Sequence, residues 1–180
     1  MIKKILIVLG LLLLSFVGYI AYEMLFPKSP KASASFNDAD LSITVSYGQP
    51  SKKGRLIFGE EKDGALQPYG KYWRLGANAP TEITFNKDIL FADQPVKAGT
   101  YRMYAVPGAD SFEISLNSQV GSFSGAPEPD YSLDVVKVKI PVAETAETEK
   151  FVISFTRDGN AVNMDLVWDQ TLVRVPVTIQ

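Results

Sequence analysis

The chain contains no histidine and no cysteine. Without imidazole there is no histidine base, no triad built on one, and no imidazole ligand for zinc or non-haem iron. Without thiols there is no thiolate nucleophile, no iron–sulfur cluster, no cysteine-bound zinc and no lipid-modified cysteine. No P-loop and no GxGxxG pattern occurs either. What is left is oxygen chemistry and proton transfer by lysine or tyrosine. Paired carboxylates of the glycosidase kind stay open, but no local spacing marks a pair. Asp158 and Asn160 offer oxygens of the calcium-binding type, yet that segment reads more simply as a turn. No cofactor, no metal and no catalytic residue is therefore assigned. Zero cysteine fits export without requiring it, since a domain of this size buries an adequate core unaided.

Charge is nearly missing from one region. Residues 5 to 26, ILIVLGLLLLSFVGYIAYEMLF, contain a single charge, Glu23. As a helix this run rises roughly 33 Å, about the thickness of a bilayer's hydrocarbon core. Lys3 and Lys4 precede it, a placement that keeps the amino terminus in the cytoplasm. Tyr19 and Tyr22 suit the aromatic belt at the outer interface. A cleaved signal peptide has a shorter apolar core, ~7–15 residues, with a small-residue cleavage site close behind. Here Glu23, Met24, Leu25 and Phe26 follow instead, and the nearest Ala-x-Ala pattern is Ala32-Ser33-Ala34 beyond two prolines. Residues 1–26 are thus expected to be an uncleaved transmembrane helix in the cytoplasmic membrane, with 27–35 as a tether. Residues 36–180 are expected as one extracytoplasmic, periplasmic domain. Secretion after cleavage is the alternative.

Helical period is missing after residue 36. The hydrophobic period there is two. Leu41, Ile43, Val45 and Tyr47 alternate with Ser42, Thr44 and Ser46. The same pattern runs through Val136, Val138 and Ile140, through Phe151, Ile153 and Phe155, through Val162, Met164, Leu166 and Trp168, and through Val173, Val175, Val177 and Ile179. GRLIF at 54–58, KYWRL at 71–75, EITF at 82–85, TYRMYAV at 100–106 and FEISL at 112–116 are further strand candidates. Asp158-Gly159 marks a tight hairpin turn. Residues 120–132 read as an exposed loop, and AETAETEK at 143–150 as one helical turn or an acidic loop. The fold class expected is all-β, an antiparallel jelly-roll-like sandwich of about 8–10 short strands behind one transmembrane helix.

With Lys3, Lys4, Lys28, Lys31 and Glu23 set aside, 14 basic and 19 acidic residues leave the domain at about −5, which argues against nucleic acid as a partner. Within it, residues 52–74 hold six basic residues against three acids. Lys52, Lys53, Arg55, Tyr69, Lys71, Trp73, Arg74 and Asn78 are the candidate ligand-binding residues. Adjacent strand residues face opposite ways, so Trp73 would point inward and Arg74 outward. Planar arginine forks suit carboxylates, phosphates and sulfates, and Asn78 would add a neutral donor and acceptor. The bland reading is that the glycines punctuate strand ends and the rings cover one end of a sandwich. A Ser51–lysine dyad is disfavoured because neighbours on a strand point apart. Trp168 is expected in the core, with Asp169 starting a turn or neutralising an arginine.

This segment resembles a known family. Tyr47, Pro50-Ser51-Lys52-Lys53-Gly54-Arg55, Ile57-Phe58-Gly59, Pro68-Tyr69-Gly70-Lys71, Trp73-Arg74, Gly76-Ala77-Asn78 and Thr81 carry the likeness. It continues in Ala98-Gly99-Thr100-Tyr101, Trp168-Asp169, Val173, Val175 and Pro176. The family is the one catalogued as domain of unknown function 2911. The resemblance implies a bacterial, typically exported all-β domain with no established activity. Its members usually carry leaders that look cleavable, from which the long run here departs. The function expected is a non-enzymatic envelope module that binds an anionic or glycan ligand, or a protein. The alternative is a carboxylate-dependent hydrolase of envelope polysaccharide.

Overall fold

A computed structural model of the chain describes residues 2–25, 28–38, 40–122 and 124–179, with helix side chains described at positions 3, 4 and 8–22. Phe26 and Pro27, where the sequence reading divides anchor from tether, lie outside the described residues, as do Met1, Ala39, Phe123 and Gln180.

One helix, α1, covers Ile2–Leu25. Every described side chain from 8 to 22 is exposed. These fifteen residues rise only ~22 Å, and among the described residues no helix is long and apolar enough to cross a membrane.

The rest is mostly antiparallel sheet. The strands are β1 (Lys31–Asn37), β2 (Ser42–Gly48), β3 (Phe58–Gly59), β4 (Gln67–Pro68), β5 (Thr81–Phe85), β6 (Ile89–Phe91), β7 (Gln94–Val96), β8 (Gly99–Val106), β9 (Ser111–Asn117), β10 (Asp134–Asp158) and β11 (Ala161–Ile179). Nine of them join edge to edge in the order β1-β2-β5-β8-β9-β10-β11-β6-β7. Only β3 and β4 stand apart, as a two-residue parallel pair.

The long strand β10 gives this sheet its shape. Its first part, Asp134 to Pro141, pairs with β9. Its second part, Val142 to Asp158, pairs with β11. The strand therefore passes from one half of the sheet to the other, and the apolar faces of the halves meet. The Tyr47 ring on β2 lies edge-on to Phe151 on β10, with centroids 5.5 Å apart. The Tyr47 hydroxyl accepts a hydrogen bond from the Ile153 amide at 3.2 Å. Phe85 on β5 meets Phe91 on β6 at 6.4 Å.

Alternation located the interior well. Leu41, Ile43, Val45 and Tyr47 are all buried, as are Val162, Met164, Leu166 and Trp168, and then Val173, Val175 and Val177. The buried parity on β11 changes from even to odd numbers between Trp168 and Val173. Asp169 sits there with φ +55°, and the β10–β11 register shifts around its partner Thr148. The shifts leave two extra residues of β10 on each side of Thr148, a bulge of that strand; the positive φ opposite it suits aspartate better than a β-branched residue. Asp169 thus lies within β11, not at the start of a turn. Ile179, the last of the alternating set, is exposed.

Several segments depart from the sequence reading. Lys31–Asn37, of which 31–35 were assigned to the tether, pair residue by residue with β2. AETAETEK, read as a helical turn or loop, belongs to β10. It bridges the two halves of the sheet between register shifts, so period two is lost there. GRLIF contributes only Phe58 to a strand, and KYWRL makes only an isolated bridge, Trp73 to Ala105. The cause is backbone geometry. Seven residues between 53 and 78 have positive φ: Lys53, Gly54, Gly64, Gly70, Leu75, Gly76 and Asn78. Extended strands need φ near −120°. The hairpin forms one residue on from the reading: Asp158 pairs with Ala161, and the central residues are Gly159, at φ +57°, and Asn160.

The irregular segment crosses β2 at very close range. A Cβ placed on Gly48 would lie 2.0 Å from the Ala77 carbonyl oxygen and 2.8 Å from its carbon. Both are backbone atoms that cannot swing aside. Gly48→Ala should lower the free energy of unfolding by about 1–3 kcal/mol, the usual cost of forcing atoms into a packed site. A urea melt of the two proteins measures this directly.

Candidate functional site

Residues 48–80 pack against both halves of the long sheet, held by Trp73. Its backbone exchanges two hydrogen bonds with Ala105, both 2.8 Å. Its indole is 3 % exposed and stacks on Trp168 at 5.9 Å, with Phe151 and Phe58 edge-on at 5.0 and 5.4 Å. The indole Nε1 has no oxygen or nitrogen partner, being enclosed by rings. With Trp73 turned inward, Tyr72 and Arg74 face the other way, as the alternation argument expects.

A cleft of about 500 Å³ opens beside them. Its apolar wall includes Pro50, Leu66, Pro68, Tyr72, Trp73 and Trp168. Its polar groups come from Ser29, Arg55, Gln67, Arg74 and Asn78, and among the described residues no acid lines it. Both guanidinium groups are held by main-chain carbonyls. Arg55 donates from Nε to Lys52 O at 3.0 Å and from NH2 to Ser51 O at 2.6 Å. Arg74 donates from NH1 to Asn78 O at 3.2 Å. Neither has a carboxylate within 4 Å among the described residues. A carbonyl orients a guanidinium without cancelling its charge, so both forks keep donors and positive charge for an incoming anion.

The eight candidate residues divide accordingly. Arg55, Trp73, Arg74 and Asn78 share this cleft; Lys52, Lys53, Tyr69 and Lys71 do not line it. Lys52 turns away to the sheet, where its ammonium bonds Glu147 at 2.6 Å and Asp169 at 2.7 Å. These two carboxylates raise its pKa above the ordinary lysine value, Asp169 having the larger effect. A lysine so held is a poor base toward Ser51. Asp169 therefore neutralises Lys52, and not an arginine. Lys53 is exposed, with its backbone N–H on the Glu149 carboxylate. Lys71 lies 3.3 Å from Glu61. Tyr69 is half-buried, with its amide on Gly59 O.

Ser29 and Gln67 line the cleft without being singled out in the sequence, and Tyr72, read only as a covering ring, lines it too. A serine, a glutamine and a third tyrosine in an aromatic stretch carry no signal of their own. Ser29 arrives from outside the segment: Asn78 donates from Nδ2 to its carbonyl at 3.1 Å. The 120–132 loop supplies the next support. Gly125 donates to Asn78 O at 2.8 Å, and Tyr72 donates its hydroxyl hydrogen to Gly125 O at 3.1 Å. Behind Tyr72 lies Arg102, 2 % exposed, which donates to the Tyr72 hydroxyl and to Pro127 O. The loop is thus partly packed down, with Gly125 and Pro129 buried.

Two further clefts were found. One of about 310 Å³, also touching Ser29 and Asn78, contains one acid, Glu82. The other, about 380 Å³ at the β8–β9 turn, contains Asp110, Glu113 and Lys139. Beneath the loop, the Tyr104 hydroxyl donates to Asp134 at 2.6 Å. Burial and that carboxylate raise the Tyr104 pKa well above its ordinary value. Among the described residues no group of three or more acidic side chains is placed to hold a metal ion.

Fold and site together define a mostly antiparallel β-domain behind an amino-terminal helix, with a two-arginine cleft. Residues 29–177 match the family described as Protein of unknown function (DUF2911), and the chain belongs to that family. No curated protein and no solved structure matches it.

The Lys52 contact gives a pH test. A lysine whose folded pKa is raised contributes stability that is complete below its ordinary pKa of 10.5 and is lost as pH rises through the folded value. Lys52→Met should therefore be less stable than the wild type at neutral pH, and the gap should close above pH 10.5. Denaturant midpoints of both proteins between pH 7 and 11.5 give the comparison.

Proposed function

We propose that this protein is an anchored binding module of the bacterial envelope, with a jelly-roll-like sandwich outside the cytoplasmic membrane and an anionic ligand in the Arg55–Arg74 cleft. One observation carries the ligand reading: two guanidinium groups meet one cleft in a domain of about −5, and among the described residues no carboxylate answers them. Protein charge normally finds opposite charge, because a partly desolvated cation without it is costly. Lys52 follows that rule and half-buried Arg74 does not; Arg55 is exposed and keeps its charge at little cost. The apolar wall lowers the local dielectric and strengthens whatever contact the two arginines make.

The anchor reading rests on α1. In the sequence, residues 5–26 carry one charge and would rise ~33 Å as a helix, about the thickness of the hydrocarbon core. A helix that is apolar all round is stable only when something apolar surrounds it, and every described side chain from 8 to 22 is exposed. Release by cleavage is the alternative fate of this segment. The hydrolase reading lacks comparable support: the arginine cleft contains no acid among the described residues, and the cleft that has Asp110 and Glu113 also contains Lys139.

Thermal melting of the full-length chain in neutral detergent, with glucuronate, sulfate or phosphate added, tests the ligand reading. At least one of these anions should raise the midpoint. Arg74→Gln should weaken the apparent affinity about 10-fold, the worth of one charged hydrogen bond. No shift with any anion, or an unchanged affinity in Arg74→Gln, would remove the reading.

A further inference from the structure

The position of Ser29 narrows the ligand. Ser29 is among the first residues described after α1, and it forms part of the arginine cleft's wall and of the neighbouring cleft's. Its carbonyl takes the Asn78 amide, and the next residue's carbonyl, Pro30 O, accepts from the Gln49 amide at 2.8 Å. The chain leaving the helix is therefore fastened at the rim of the cleft. Leu25, the last residue of α1, is four residues from Ser29, and four residues fully extended reach at most about 14 Å. If α1 lies in a bilayer, the rim cannot stand further than that from the end of the helix. The polar headgroup layer is itself roughly 5–8 Å deep on each side. The cleft thus opens at headgroup level or just above it.

Charge points the same way. A domain of about −5 is repelled by an anionic leaflet, whose potential falls off within about a Debye length, near 8–10 Å. Any face tethered this closely has to be locally basic to rest there. The tethered rim is where Arg55 and Arg74 lie without carboxylate partners, with Lys31 lining the adjoining cleft.

We propose that the anion taken by the Arg55–Arg74 cleft is the phosphate of an anionic phospholipid headgroup, so that the cleft seats the domain on the leaflet from which α1 emerges. This rests on the anion-cleft reading and on α1 as the anchor. The same phosphate chemistry is available from a free phosphate, and the difference lies in whether the phosphate is presented by the membrane.

Nanodiscs containing the full-length chain separate these sources. The only two tryptophans, Trp73 and Trp168, both line the cleft, so intrinsic fluorescence reports its melting. In discs of phosphatidylcholine with increasing phosphatidylglycerol, the wild-type midpoint should rise with the anionic fraction. At about 1 kcal/mol per arginine near an anionic surface, the Arg55→Gln/Arg74→Gln variant should need roughly 30-fold more phosphatidylglycerol for the same effect. Arg55→Lys/Arg74→Lys keeps the charge and should retain most of the response, which separates a lost site from a damaged fold. A phosphatidylglycerol response that survives the double glutamine variant overturns the proposal. So does a wild-type midpoint indifferent to phosphatidylglycerol but raised by inorganic phosphate, and that result leaves the anion cleft standing. Indifference to both removes the cleft reading as well. Failure of the chain to enter the discs removes the anchor and the proposal with it.

Discussion

Trp73 reaches the interior from a segment with almost no regular structure, and the arrangement of the cleft follows from that contact. Its ring lies among Phe58, Phe112, Phe151 and Trp168, which come from a two-residue strand and from β9, β10 and β11. Aromatic pairs of this geometry contribute ~0.5–1.5 kcal/mol each beyond their burial, and this cluster joins both halves of the sheet. Because Trp73 is held inward and its backbone is bonded to Ala105, Tyr72 and Arg74 are directed outward. The Arg74 side of the cleft is in this sense a by-product of core packing, since the backbone beneath it is held by Trp73.

The second constraint is the distribution of charge. Lys52 and Arg55 are three residues apart, yet their surroundings differ. Lys52 turns to the β10–β11 bulge, where Asp169 and Glu147 neutralise it. Arg55 folds back on the carbonyls of Ser51 and Lys52 and keeps its charge. The positive φ of Asp169, opposite the β10 bulge, serves two ends at once: it re-sets the parity of β11, and it presents a carboxylate where Lys52 can reach it. A basic stretch that looks uniform in one dimension thus resolves into a structural cation and a cation left for something else.

Much of the fold was legible because alternation is local. In β2 and β11 the inward residues could be chosen by counting in twos, and the hairpin at Gly159 by its turn chemistry. Where the backbone departs from extended geometry, counting fails. KYWRL reads as a strand, yet its Leu75 has φ +52° and Asn78, three residues beyond, +65°, conformations that their side chains do not advertise. AETAETEK reads as a loop because it has no period, although β10 continues through it. The site was legible in part: Arg55, Trp73, Arg74 and Asn78 share the cleft, whereas Ser29 and Gln67 carried no mark and Tyr72 reads only as a covering ring.

The sequence by itself determined the apolar leading segment, the sheet-forming remainder, the family, and the exclusion of imidazole and thiol chemistry, since each of these depends on residue type and near-neighbour spacing. The tertiary structure alone decided which cations are neutralised, which face a cleft, and where the tether is fastened. Those outcomes depend on pairs such as Lys52 with Asp169 and Ser29 with Asn78, 117 and 49 residues apart. Such pairs form only when the sheet has closed on itself, and nothing in the spacing of neighbouring residues encodes them.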